Sequence, residues 1–292
     1  VFSWLDPVAF ERSFLEWVQA VMKITDGQVI AIDGKTLRRS HDHTNGKEAI
    51  HMVSAWAEKN RLVLGQVKVY EKSNEITAIP ELLRVLEING CIVTTDAMGC
   101  QQEIAAIVVE KGGDYLLALK ENQGQLYEDV TELFNGAQEV NYFDVEHTYA
   151  KTTNKNHGRI EIRECWAITD PDFTHYLRGL ENWKNLRSLV KVSSQRQTSG
   201  GTSMEDRYFI SSSKLSAKQL LKAVRGHWGI ENGLHWVLDI AFREDESRVR
   251  KDYAPENLAI LRHIALNLLK QDTSKKIGIK NKRLAAAWNN DY

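Results

Sequence analysis

Cysteine is scarce in this sequence. Only Cys91, Cys100 and Cys165 occur in 292 residues, which excludes a disulfide-stapled scaffold. No two of them form a Cys-x-x-Cys pair, so zinc-ribbon and thioredoxin-like readings fall away too. No apolar run reaches the roughly 18 residues of a membrane span, and no signal peptide stands at the start. A cytoplasmic address without a membrane partner is therefore expected. Internal repeats and low-complexity tracts are missing. A charge excess of one sign is missing as well: 38 Lys/Arg against 39 Asp/Glu leave a net charge of −1, so bulk charge does not announce a nucleic-acid binder. What is present is ordinary for a soluble protein with a real core, 42% hydrophobic and 26% charged residues, in a chain long enough for one large domain or two smaller ones.

The charge is unevenly spread. From Lys214 onward, 15 basic residues face 9 acidic ones, and the earlier part of the chain carries the opposite excess. Between Lys270 and Arg283 the cations Lys270, Lys275, Lys276, Lys280, Lys282 and Arg283 face only Asp272. A second basic spot comprises Lys151, Lys155, His157, Arg159 and Arg163. Such a split steers a polyanion to one side of a near-neutral protein, although charge runs are more often plain solvated helices and loops.

Hydrophobic spacing sets the organisation. Residues 1–26 read as helical through Phe10, Phe14, Trp17 and Val21. Val29–Gly34 reads as a buried strand ending at a turn. Ile50–Ala57 and Leu62–Tyr70 read as two further strands of an antiparallel meander. A helix over Ile76–Ile88, a strand over Cys91–Thr95, a helix over Gln101–Lys111 and a strand over Tyr115–Leu119 complete a β-β-β-α-β-α-β order. Residues 135–213 change character. Tyr142–Glu146, Ile160–Ile168, Ser188–Val192 and Arg207–Ile210 are strand-like, with loop signals at Asn154-Lys155-Asn156 and Gly200-Gly201. Beyond a Ser216 N-cap, one helix is expected over Ala217–Ile240 and another over residues 255–270. The domain plan is then 1–26, the end of an N-terminal helical region; 27–134, the first part of a catalytic core; 135–213, a β-rich insertion; 214–270, the second part of the core; and 271–292, a basic tail.

Asp33 and Asp96 each close an apolar strand, where functional groups gather in α/β sheets. Adjacent carboxylates repel, and a divalent cation relieves that repulsion. Oxygen ligands favour Mg²⁺ or Mn²⁺ over zinc, and two ions about 3.5–4 Å apart can clamp both oxygens of a phosphodiester displacement. Each aspartate also has a plainer explanation: Asp33-Gly34 as a hairpin turn, Asp96 as an Asx-turn or helix cap. Glu231 sits in Arg225-Gly-His-Trp-Gly-Ile-Glu-Asn-Gly-Leu-His235. His227, Glu231 and His235 are four apart and share one helix column. That column reads as a catalytic carboxylate, a His–Glu hydrogen-bond ladder or, less well, a zinc site, since it is not His-Glu-x-x-His. Asn232-Gly233 is poor for a helix interior and predicts a kink or a close packing contact.

The segments Ile30-Ala-Ile-Asp-Gly-Lys-Thr-Leu-Arg38, Val93-Thr-Thr-Asp-Ala-Met-Gly-Cys-Gln101, Leu117-Ala-Leu-Lys-Glu-Asn-Gln123 and Arg225–Asp239 resemble the ISAs-type insertion-sequence transposases, also called H-repeat-associated proteins. The likeness continues through Phe242–Arg248 and Asn257–Arg262 and covers nearly the whole chain. It implies an α/β fold: an RNase H-like mixed sheet flanked by helices, with a β-rich insertion before the last catalytic helix. It implies a DDE triad of Asp33, Asp96 and Glu231 that ligates two Mg²⁺ (or Mn²⁺) ions. The implied activity is hydrolysis of phosphodiesters at transposon ends and 3′-OH strand transfer into target DNA. The implied partners are double-stranded DNA and a second copy of the chain, in the cytoplasm with the nucleoid. Lys35, Arg38, Lys120, Arg159, Arg225 and His227 are candidates to hold backbone phosphates, each against the plainer reading of a solvated charge. Two other functions compete: an RNase H-like nuclease without strand transfer, and a catalytically silent DNA-binding remnant of a mobile element.

Overall fold

A computed structural model describes residues 1–21, 27–41, 46–69, 74–156 and 158–291. It divides into two compact units, Val1–Glu87 with His227–Tyr292, and Ile88–Gly226.

The first unit opens with α1 (Pro7–Val21), then β1 (Val29–Thr36), β2 (His51–Ala57), β3 (Leu62–Val69) and α2 (Glu75–Val85). The three strands form the expected antiparallel meander. Alternation gives its two faces different tasks. Ile32, Ala55 and Gly65 are in register across one face, and a Cβ on Gly65 would meet Leu15 of α1 and Leu82 of α2. The other face carries Ala31, Asp33 and Lys35 on β1, opposite Trp56, Ser54 and Met52 on β2. Asp33-Gly34 is not the expected hairpin turn; the ladder continues through it to Thr36. Gly34 is required for another reason. His51 Nε2 meets Glu75 Oε1 at 2.6 Å, and a side chain at position 34 would collide with both groups.

The second unit contains β4 (Ile92–Thr95), α3 (Gln102–Glu110), β5 (Asp114–Leu119), α4 (Gly124–Glu139), β6 (His147–Asn156), β7 (Arg159–Ile168), the one-turn α5 (Pro171–Thr174), β8 (Ser188–Thr198) and β9 (Gly201–Ser211). β4 runs parallel to β5, and β5-β9-β8-β7-β6 continue antiparallel. The β-rich insertion thus forms long hairpins whose last strand joins β5 of the core. α4 was not foreseen. It lays Val130 and Phe134 into the core, with Phe134 5.8 Å from the Tyr208 ring. Tyr142–Glu146 is turn rather than strand, because Asn141, Tyr142 and Asp144 take left-handed φ values of 50°, 57° and 58°. Asn154-Lys155-Asn156 lies inside β6, paired out to Arg159 of β7. Its polar composition belongs to the far end of a ribbon, not to a loop. Tyr70, His157 and residues 22–26 lie outside the described residues.

The chain re-enters the first unit within α6 (Ala217–Ile230). The single helix expected over 217–240 is instead interrupted by a π-helical turn, Glu231–His235, before α7 (Trp236–Phe242). Trp236 N–H donates to Glu231 O, the i→i+5 bond of that turn. α8 (Ala254–Gln271) and α9 (Ile279–Trp288) follow. Asn267 of α8 is fully buried; its side chain accepts from Val63 N–H at 2.9 Å and donates to Val63 O at 2.8 Å, holding the outer strand β3. The basic tail is helical and in part packed. Lys282 is buried and bonds the carbonyls of Leu269 and Asp272, Lys270 lies over Trp56 at 4.7 Å, and Arg283 lies over Phe242 at 5.6 Å. No helix among the described residues is long and apolar enough to cross a membrane.

Candidate active site

The polar face of β1 and the π-turn helix meet in matching order. Strand side chains on one face recur every second residue, and helix side chains on one face every third or fourth. Gly233 lies against Trp56, where a Cβ would come within 2.6 Å of the indole. Two residues along β1, Asp33 meets His235. Two further, Lys35 meets Asp239. The close contact foreseen from Asn232-Gly233 is thus real. Absence of a side chain at position 233 lets the helix lie on the indole, and the π turn sits at that point. Gly229 repeats the device one turn earlier, where a Cβ would collide with the Glu58 carboxylate.

Asp33, Glu231 and His235 converge here. His235 Nδ1 stands 3.6 Å from Asp33 Oδ2 and 3.6 Å from Glu231 Oε2. These separations exceed hydrogen-bond length. His235 is 5% exposed, and its Nε2 has no hydrogen-bond partner among the described residues. Burial pushes its pKa down, against the pull of the Glu231 carboxylate. The Asp33 side chain is 18% exposed and that of Glu231 52%. One donor atom from each of the three lies within 4.8 Å of the others, a spacing that fits a divalent cation.

Beside this group lies a dense charge network. Lys35 Nζ reaches Asp239 at 2.5 Å, Asp245 at 3.0 Å and Glu244 at 3.6 Å. Glu244 is buried and also meets Arg262 at 3.2 Å. Burial pushes the Glu244 carboxyl up, while Arg262 and Lys35 hold it back. Burial works to lower the Lys35 pKa, yet the bond to Asp239 and the charges of Glu244 and Asp245 leave it raised overall. His263 is buried behind them, its pKa pushed by burial down to about 3. Asp239, Glu244 and Asp245 had no assigned role in the sequence, although they lie within the segments that carry the resemblance.

The remaining sequence candidates divide as follows. Asp96 belongs to the second unit, exposed just past β4, where its Oδ1 accepts from Met98 N–H at 2.9 Å and Gly99 N–H at 3.2 Å. It makes the Asx-turn, and an Asx-turn leaves a carboxylate capable of further ligation. Lys35 does not present a free ammonium to solvent. Arg38 is 79% exposed and touches Asp245 at 3.3 Å. Lys120 and Arg225 are exposed and His227 half-buried. Arg159 meets Glu161 at 3.2 Å, as does Arg163 at 2.8 Å, and Lys151 meets Glu164 at 3.2 Å. The second basic spot is therefore partly neutralised by acids on β7.

The chain is a mixed α/β protein with Asp33 on its first strand, Asp96 just past its fourth and Glu231 at the start of the π turn. Comparison with known proteins gives the family. Residues 24–268 match the model described as "Transposase DDE domain", and the chain belongs to that family. "Putative transposase YncI" of Escherichia coli O157:H7 is 45% identical over 297 residues, covering 100% of this chain and 74% of that protein. "H repeat-associated putative transposase YhhI" of Escherichia coli K12 is 42% identical over 296 residues, covering 100% and 77%. The chain thus falls among the H-repeat-associated relatives that its motifs resemble. Among solved structures, a "piggyBac transposase synaptic complex with hairpin DNA" aligns with a TM-score of 0.45 at 9% identity, covering 91% of this chain and 49% of that one. That likeness is too slight to argue from.

Proposed function

We propose that this chain is a metal-dependent DNA transposase that cuts phosphodiesters at transposon ends and joins the freed 3′-OH to target DNA. The observation that carries this reading is the meeting of Asp33 and Glu231, remote in sequence, around a buried histidine, in a family defined by a DDE domain. Asp33 and Glu231 would hold one divalent ion. Asp96, the remaining acidic position of the proposed triad, would serve a second ion. Bound divalent ions lower the pKa of water and stabilise the charge that develops on phosphate oxygens. The protein's own part is positioning. β1 fixes Asp33 between ladder bonds, and Gly233 against Trp56 fixes the turn that carries Glu231. Exposed cations at Arg38, Lys120 and Arg225, with Arg159 and His227, would hold DNA phosphates. DNA would be bound as a duplex, by paired copies of the chain, in the cytoplasm with the nucleoid.

Asp33→Asn, Asp96→Asn and Glu231→Gln should each abolish Mg²⁺-dependent cleavage of end-bearing DNA and leave duplex binding within about threefold. Normal cutting by any one of them removes that residue from the triad. A joining assay with pre-cleaved ends tests the second step. Cleavage without joining would make the chain a nuclease, and binding with neither would make it a silent remnant.

A further inference from the structure

The buried histidine beside the two carboxylates is not one of the three acidic positions that define the class. We propose that His235 is itself a ligand, giving the ion held by Asp33 and Glu231 a nitrogen donor and a preference for Mn²⁺ over Mg²⁺. This rests on the metal-dependent reading above.

Three independent features support it. The first is geometry. Bonds of about 2.1 Å in an octahedron place neighbouring donors about 3 Å apart and opposite ones about 4.2 Å apart. Nδ1 at 3.6 Å from each carboxylate oxygen falls between those limits. The second is an imidazole left unsatisfied on one side: it is 5% exposed, its Nε2 has no hydrogen-bond partner among the described residues, and its Nδ1 faces the Asp33 and Glu231 carboxylates at 3.6 Å each. Buried polar groups are normally satisfied, and a side chain that is not requires a reason. The third is the backbone. The π turn runs from Glu231 to His235, so the local irregularity spans the two candidate ligands and no more. Such bulges concentrate at functional sites because they re-aim side chains that a regular helix would place elsewhere. Lys35 does not fill the same place, since its ammonium is taken up by Asp239, Asp245 and Glu244.

A nitrogen ligand discriminates between metals. Mg²⁺ strongly prefers oxygen and water, whereas Mn²⁺ accepts imidazole more readily. Pulsed electron paramagnetic resonance of Mn²⁺ added to the full chain reads this without any catalytic turnover. Directly bound imidazole gives ¹⁴N modulation of the Mn²⁺ echo, and labelling the chain with ¹⁵N-histidine should change its frequencies. His235→Gln should remove the histidine signal and weaken Mn²⁺ binding about tenfold or more, with a smaller change for Mg²⁺. The isotope arm uses the unaltered chain, so it stands even if the variant folds poorly. Mn²⁺ bound in a manner dependent on Asp33 and Glu231 but without nitrogen coupling would overturn the role of His235 and leave the carboxylate site intact. Coupling that persists in a folded His235→Gln variant would assign the nitrogen to another histidine and overturn the proposal. No Mn²⁺ binding in the unaltered chain would overturn both this inference and the metal-dependent reading.

Discussion

Replacing Lys35 by Met tests whether this lysine is a DNA contact, as its place in the sequence suggests, or a clamp within the fold. The Lys35 side chain is 12% exposed and meets three carboxylates, of which Glu244 is 2% exposed and Asp239 and Asp245 are 31% and 27% exposed. Removing one partner of a buried pair costs about 3–5 kcal/mol. Here Arg262 still holds Glu244, and water screens the other two acids. The expected loss is therefore about 2–3 kcal/mol, or a fall in Tm of about 3–5 °C at this chain length. The deficit should depend on pH. Burial already raises the Glu244 carboxyl above its ordinary range. Without Lys35 it rises further, so the variant's deficit is largest at high pH and shrinks as the pH falls and Glu244 takes up its proton. Thermal unfolding at several pH values measures this, and duplex binding against salt measures the alternative. An unchanged Tm, with the salt slope of DNA binding reduced by about one, would refute the clamp and restore Lys35 as a phosphate contact.

Asn267→Leu should destabilise the first unit by about 3 kcal/mol, because it leaves Val63 N–H and C=O buried without partners; a loss below about 1 kcal/mol in urea unfolding would contradict this. Gly233→Ala should cost about 1–3 kcal/mol by overpacking against Trp56; an unchanged Tm together with an unchanged tryptophan emission spectrum would show that the contact is slack. His263 stays neutral in the folded chain down to about pH 3, whereas the unfolded chain takes up its proton near 6.5. Its contribution is fully kept above that value and lost as the pH falls, by about 2 kcal/mol at pH 5. His263→Leu should therefore gain that much on the native sequence between pH 8 and pH 5, and parallel stability curves would contradict it.

The sequence by itself determined the element order of the first 119 residues. Each of those strands and helices buries one apolar face, and that need writes its period into the chain. It also singled out Asp33, Asp96 and Glu231 as candidates, because motif segments survive as contiguous text, and the fold brings Asp33 and Glu231 together. It misplaced features where local composition and tertiary setting disagree. Asn154–Asn156 is polar enough for a loop, yet pairs as the end of a ribbon. Tyr142–Glu146 is apolar enough for a strand, yet left-handed φ values forbid one. Only the folded chain decided which charges are available. Lys35 lies two residues from Asp33 and reads as a surface cation, but α7 and the turn after it bring Asp239, Glu244 and Asp245 onto its ammonium. Only the folded chain, likewise, set His235 between Asp33 and Glu231, since that meeting depends on a glycine against an indole and a helix that gains one residue in its turn. Periodicity is a property of neighbours along the chain, whereas charge pairing and ligand convergence belong to residues that meet only when distant segments pack.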